Sequence, residues 1–440
     1  MMPANIDTLI TARWVVPVQP QHTVLEDHAV AVNDGRIVAV LPADRALEEY
    51  SAAETHELGH HLLIPGLVNT HTHAAMTLFR GMADDLPLMT WLQDHIWPAE
   101  QQWVAPGFVE DGTRLAIAEM LRGGTTCFND MYFFPDHAAG IALETGMRIN
   151  IGLIVIDFPT PWARTADEYI HKGLEVRDRF KRNPLVSCSF APHAPYTVSD
   201  KPLEQIATYA DELNLQIHMH VHETAFEVDQ AVEQHGLTPL AKLETMNLLS
   251  ERLIAVHMTQ LDDEEMDRAA KYGVHVVHCP ESNLKLASGF CPVQALQSRG
   301  INVALGTDGA ASNNDLDMLG EARSAAQLAK AVAGDPSAVS AWETLQMATL
   351  NGARALGLDH EIGTLETGKA ADIVAVDLLQ PATQPVYDPV SQLIYAASRQ
   401  QISDVWVNGK QLLRDSELVT IDEQPLIGLA EDWRMKIRES

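Results

Sequence analysis

The sequence predicts an α/β protein built on a (β/α)8 TIM barrel, with a β-sandwich-like domain beside it. Eight short apolar runs recur over roughly 250 residues, most of them separated by stretches with helical spacing. Both ends of the chain are instead strand-like and rich in turn residues. Histidines and an aspartate fall where the apolar runs stop, which is the face on which such barrels carry their chemistry.

Taken in order, the chain opens with β-like runs at 8–16, 29–32 and 36–41, and Asn33-Asp34-Gly35 between the last two supplies a tight hairpin turn. Within the same region His56-Glu-Leu-Gly-His60 matches the H-E-x-x-H pattern of zinc proteases. That motif needs a helix to bring both histidines to one face. Gly59 sits inside it and Pro65-Gly66 follow closely, so it reads as a chance match.

The first barrel strand ends at His71-Thr-His73, and the others follow at 125–130, 148–155, 186–191, 216–220, 253–257, 275–278 and 302–308. Helical spacing appears at 111–122, 202–213, 264–272, 312–332 and 339–356. Beyond these, 371–377 and 403–409 return to β pattern with an Asn-Gly turn, so the two ends are expected to pair. The chain thus divides into a β domain of residues 1–63 and 370–440 and a barrel of residues 64–369.

Composition narrows the function classes. The 440 residues are 46% hydrophobic, enough for a large core, and 60 acidic against 30 basic residues give a net charge of -30. Such a surface repels nucleic acid and anionic membranes, so neither is an expected partner. No apolar run approaches the ~18 residues of a membrane span, and the N-terminus lacks the basic start and apolar core of a signal peptide. A cytoplasmic protein is expected. Cys127, Cys188, Cys279 and Cys291 form no C-x-x-C pair and read as reduced, mostly buried thiols.

In a strand, alternate side chains share a face, so His71 and His73 can reach one ion. His193 after the fourth strand, His220 on the fifth, His257 on the sixth and Asp308 on the eighth converge on the same end. Three imidazoles and a carboxylate suit zinc first, with iron(II) and manganese also accommodated, and leave room for a water. Such an ion activates water, which predicts hydrolysis. His218, His220 and His222 share one face of the fifth strand, and Glu223, three positions after His220, favours His220 because its carboxyl group can shuttle a proton. His218, His222, His275 and His278 are read as buried or rim histidines.

Together, His71-Thr-His73, His220 with Glu223, His257, the run Gly306-Thr-Asp308-Gly-Ala-Ala-Ser-Asn-Asn314 and Gly363-Thr-Leu-Glu-Thr-Gly-Lys-Ala-Ala-Asp372 resemble the amidohydrolase superfamily. Within it the likeness is to the 5'-methylthioadenosine/S-adenosylhomocysteine deaminases, over nearly the whole chain. The resemblance implies a distorted barrel, a composite β domain and one zinc per subunit held by His71, His73, His220 and Asp308. No lysine occupies Phe190-Ala-Pro-His193, where two-metal relatives carry a carbamylated one, so a mononuclear site is expected. It further implies that Asp308 accepts a proton from the activated water, that Glu223 protonates a purine ring nitrogen, and that His257 orients the attacking oxygen. Attack at C6 would release ammonia and leave the inosine analogue.

The long connection from residue 74 to about 122 reads as a lid that carries Glu100 and three tryptophans, Trp91, Trp97 and Trp103. By family position Glu100 binds the ribose hydroxyls and His193 contacts purine or ribose. The tryptophans are read as packing and Arg164 as a surface cation. Related barrels associate, so a homo-oligomer is compatible with this reading. The alternatives are a deaminase or chlorohydrolase of another ring, such as guanine or a triazine, and a metal-free scaffold on the same fold.

Overall fold

The computed structural model describes residues 3–438. Eight parallel strands form the barrel: Leu67–Thr72, Thr125–Asp130, Arg148–Val155, Val186–Pro192, Gln216–Val221, Leu253–His257, His275–His278 and Val303–Leu305. Strands wrapped by helices bury both faces, which is why they read as near-continuous apolar runs; every residue of Arg148–Val155 is buried. The eighth strand meets the first through Asp308 N–H on His71 O at 3.0 Å and Thr307 N–H on Asn69 Oδ1 at 3.0 Å. Gly306 permits this approach, since a Cβ there would lie 2.8 Å from the His71 backbone nitrogen.

The second sheet also has eight strands and draws on both ends of the chain. Its N-terminal half is Ala4–Val15, Leu25–Asn33, Arg36–Pro42 and Tyr50–Pro65; its C-terminal half is Ile373–Asp377, Ile402–Val407, Lys410–Arg414 and Glu417–Leu418. The halves join where Ile64 pairs antiparallel with Val374. The sheet curls until two distant hairpin turns touch: Gly35, at φ +73°, would place a Cβ 2.6 Å from Asn408 O. Ile10, Val30, Ile37, Leu63, Ile373 and Trp406 fill the space so enclosed. A buried ion pair ties this domain to the barrel: Arg148 on the third strand donates to Asp372 at 2.9 and 3.0 Å, and Asp372 also accepts Asn408 N–H at 2.8 Å.

His56 and His60 lie in the strand Tyr50–Pro65, so the protease-like motif has no helix to act from. His56 instead packs edge-on against Trp406 at 5.3 Å. Two helices differ from expectation. The one expected at 312–332 begins only at Met318, capped by Asp317, whose carboxylate accepts Leu319 N–H at 3.0 Å. That leaves Gly309 to Leu316 as a loop over the barrel mouth. The stretch 339–356 breaks at Thr349 into Ala341–Ala348 and Leu350–Ala355, where the Thr349 hydroxyl donates to Leu345 O and the backbone leaves helical geometry. A helix not anticipated, Glu423–Arg438, lies on the barrel helix Pro106–Arg122, where Trp433 donates to Asp111 at 2.8 Å. Among the described residues no helix is long and apolar enough to cross a membrane.

Candidate active site

The residues expected at the strand ends come together at the C-terminal mouth of the barrel. One ligand atom each from His71, His73, His220 and Asp308 falls within 4.8 Å of all the others. Asp308 Oδ1 stands 3.2 Å from His71 Nε2 and 3.3 Å from His73 Nε2, and His220 Nε2 stands 3.1 Å from His71 Nε2.

Hydrogen bonds behind the rings fix which nitrogen faces inward. His73 Nδ1 donates to Met131 O at 2.6 Å and His220 Nδ1 donates to His193 O at 2.8 Å. A carbonyl can only accept, so both rings carry hydrogen on Nδ1 and turn Nε2 to the centre, where it holds either a proton or a metal ion. His71 Nδ1 is paired with His218 Nε2 at 2.9 Å. Several lone pairs converging in a buried space repel one another unless a cation sits among them, and zinc bonds of about 2.0–2.2 Å span separations of this size. The residues present therefore fit a divalent metal.

Asp308 is built in from three sides. Ser282 and Ser312 hydroxyls donate to Oδ2 at 2.7 and 3.0 Å, and Gly309 N–H donates to Oδ1 at 2.8 Å. Although burial opposes it, the hydrogen bonds and charges of His71 and His73 hold this carboxyl well below the ordinary range. His71 is lowered to about 4, chiefly by burial. In His73 burial also lowers, but the hydrogen bond and charge of Asp308 win and lift it to about 9. Asp308 and His257 both adopt left-handed backbone, φ +62° and +75°, where the chain turns sharply over the site. Such conformations cost energy in residues other than glycine and concentrate at functional positions.

Glu223 stands at the end of the fifth strand, buried, with Oε2 3.9 Å from His257 Nε2. Burial raises its carboxyl, and the Asp308 charge adds to the shift. Its backbone is clamped by the helix that follows. Thr224 caps Ala225–His235 by accepting Glu227 N–H at 3.3 Å, while the Glu227 carboxyl accepts the N–H of His222 at 3.1 Å and of Glu223 at 2.7 Å. His257 is oriented in turn by Nδ1 against Asn283 Oδ1 at 2.8 Å.

Above this centre lies a cavity of about 340 Å³, large enough for a small ligand. Glu100, His193, Glu223 and Asp308 all line it. Burial raises Glu100 to about 7, against the pull of a Tyr132 hydroxyl beside it. Burial lowers His193 to about 3, reinforced by His73 and His71, and its Nδ1 lies 3.0 Å from Thr197 Oγ1. The lid folds as short helical pieces, Leu88–Thr90, Trp91–Ile96 and Trp97–Trp103. Trp91 and Trp97 line the cavity, whereas Trp103 packs edge-on against Trp433 at 6.4 Å. Arg164 is exposed.

Reading only histidines and acids at strand ends passes over the groups behind them. Ser282 and Asn283 follow directly after the seventh strand, a position that would have flagged them. Thr224-x-x-Glu227 is legible as a helix cap. The contact of His218 with His71 had no local sign, because it spans 147 residues. His222 is a buried histidine bonded to Gln260 O at 2.6 Å, as expected of it.

The amidohydrolase family profile matches residues 62–412. A 5-methylthioadenosine/S-adenosylhomocysteine deaminase of Teredinibacter turnerae is 49% identical over 98% of each chain, and one of Aquifex aeolicus is 41% identical over 93% of this chain and 94% of its own. Among solved structures, an adenosine deaminase from Xanthomonas campestris with bound zinc is 55% identical, covers all of both chains and superposes with a TM-score of 0.99. A zinc complex of atrazine chlorohydrolase from Arthrobacter aurescens is 25% identical over 97% of this chain and 99% of its own, with a TM-score of 0.89. By sequence, fold and the donor set at its barrel mouth, the chain belongs to the amidohydrolase family.

Proposed function

We propose that the chain is a deaminase of adenine nucleosides, hydrolysing 5'-methylthioadenosine-type substrates to the inosine analogue and ammonia with one Zn2+ per subunit. The observation that carries the reading is that Glu223 lines the same cavity as the candidate ligands His73, His220 and Asp308, a cavity that also holds Glu100. The relatives' shared activity points the same way.

His71, His73, His220 and Asp308 would hold the ion. When bound, it supplies the Lewis acidity that activates water near neutral pH. Glu223, raised by burial, donates its proton to ring nitrogen N1 as C6 takes up oxygen. Asp308 accepts the proton released by the water and passes it to the departing amino group. His257, held by Asn283, hydrogen-bonds the incoming oxygen. A C6–O bond forms and the C6–N bond breaks; ammonia leaves with the proton passed on by Asp308, N1 keeps the proton from Glu223, and the second proton of the water returns to Glu223 as the C6 carbonyl forms. Glu100 accepts hydrogen bonds from both ribose hydroxyls, and His193 meets the purine or ribose. A bare base offers no diol, so Glu100 favours a nucleoside over guanine or a triazine.

The test is a spectrophotometric deamination assay of the zinc-loaded protein on methylthioadenosine, S-adenosylhomocysteine and adenosine, with adenine, guanine and a chlorotriazine alongside. Nucleoside turnover that disappears in His220→Ala and Glu223→Gln is the expected result. Turnover of a triazine or guanine alone would refute the nucleoside reading.

A further inference from the structure

The groups that orient Asp308 and His257 come from two loops, and both loops end on one side chain. Ser282 and Asn283, behind the seventh strand, serve Asp308 Oδ2 and His257 Nδ1. Ser312, behind the eighth, serves the same Asp308 oxygen, and the two serine oxygens lie 3.1 Å apart. The chain neighbours of these groups are tied to Glu321 of the helix Met318–Ala333. The backbone N–H of Glu281 donates to Glu321 Oε2 at 3.3 Å, and the side-chain amide of Asn313 donates to Oε1. The same amide donates to Thr307 O at 2.8 Å, one residue before Asp308.

Glu321 is fully buried. Burial holds its carboxyl well above the ordinary range, and the charges of Glu281 and Asp315 push the same way. Such a group is costly to keep inside a protein. An apolar side chain would fill the space without that cost, but a carboxyl offers one acceptor oxygen to each of two loops, whereas an amide offers one in all. One turn further along the helix, Ser324 donates to the Glu281 carboxylate at 2.7 Å, which doubles the hold on residue 281.

We infer that Glu321 is a positioning residue, which fixes the loops behind the seventh and eighth strands to one helix so that Ser282, Ser312 and Asn283 hold Asp308 and His257 in place. Glu321 does not line the cavity, so it acts through those groups. The inference rests on the reading above of Asp308 as a ligand and His257 as the group that meets the incoming oxygen. With Oδ2 loosened, the Asp308 carboxylate is free to turn its other oxygen off the metal. Metal affinity and kcat then depend on a side chain behind the site, while nucleoside binding at Glu100 and His193 does not.

The experiment is Glu321→Gln, which keeps volume and burial but faces one of the two donors with an amide NH2. Zinc affinity, by competition with a chromophoric chelator, should fall about 10–100-fold, the scale on which outer partners of metal ligands act. In zinc-saturated protein kcat should fall by a similar factor with KM within about threefold of the parent. The visible absorption of the cobalt(II)-loaded protein, which reports ligand geometry, should change. Asn313→Ala cuts one loop free at a half-buried position and should shift these readouts the same way but less; it decides the matter if the glutamine variant does not fold. Arg148→Met weakens the domain junction instead and should leave the cobalt spectrum unchanged. Zinc affinity and cobalt spectra that match the parent in Glu321→Gln and Asn313→Ala would overturn the inference, as would a spectral change that Arg148→Met reproduces. Both readouts need no substrate. A parent that deaminates no nucleoside would therefore overturn the proposed function and leave them to decide this inference.

Discussion

Replacing His218 with phenylalanine tests how the metal centre is held. The substitution keeps a ring of similar volume and removes one hydrogen bond, the 2.9 Å contact between His218 Nε2 and His71 Nδ1. Both residues are fully buried, so His71 Nδ1 finds no water to replace the lost partner. An orphaned buried nitrogen costs about 1–3 kcal/mol, and loss of a group that orients a metal ligand typically weakens metal binding 10–100-fold. The two scales agree, because that range corresponds to about 1.4–2.7 kcal/mol. Zinc affinity measured by competition with a chromophoric chelator should therefore fall 10–100-fold in His218→Phe. The apoprotein should itself lose about 1–3 kcal/mol of unfolding free energy to the orphaned nitrogen, and the further stabilisation gained on adding zinc should shrink. A zinc affinity within twofold of the parent would refute the claim that His218 fixes His71.

The other predictions address catalysis, pH and the domain junction. Glu223→Gln should lower kcat by about 10²–10⁴ with zinc still bound, as expected for loss of a positioned proton donor; metal content by atomic absorption and kcat on the same sample check it. Glu100 is raised from 4.5 to about 7, so its carboxylate, the form that accepts from the ribose diol, is lost as pH falls through about 7. KM for nucleosides should rise on that acid side, and Glu100→Gln should flatten the dependence. Because the folded state holds this proton more tightly than the unfolded chain, the shift also removes stability as pH rises from 4.5 to about 7. Arg148→Met strands the buried Asp372 carboxylate and should reduce unfolding free energy by about 3–5 kcal/mol in denaturant titration. His56→Ala, outside the site, should leave deamination within twofold of the parent.

The sequence carried the barrel because local physics writes it there. Fully buried parallel strands must be largely apolar along their length, as Arg148–Val155 is apart from Arg148 and Asn150, and helices must show a 3.6-residue stripe. Side-chain alternation then put His71 and His73 on one face, and the strand-end rule gathered His193, His220, His257 and Asp308. Local reasoning also disposed of the His56–His60 motif, since Gly59 and Pro65-Gly66 disfavour the helix it needs, and the stretch is a strand.

Tertiary structure alone decided what lies behind those ligands. That His218 supports His71 from behind, where the sequence reads it only as a buried or rim histidine, depends on a contact across 147 residues and leaves no periodic trace. The Ser282 and Ser312 clamp on Asp308 exists because a stretch with helical spacing gives way to a loop, an outcome that packing over the barrel mouth settles against propensity. The cavity lining is of the same kind, since Trp97 of the lid meets Phe158 of the loop after the third barrel strand across segments distant in sequence. Patterns of period two and 3.6 are fixed by the backbone and survive in the sequence. Contacts between distant segments are fixed by how whole elements pack, and only the folded chain displays them.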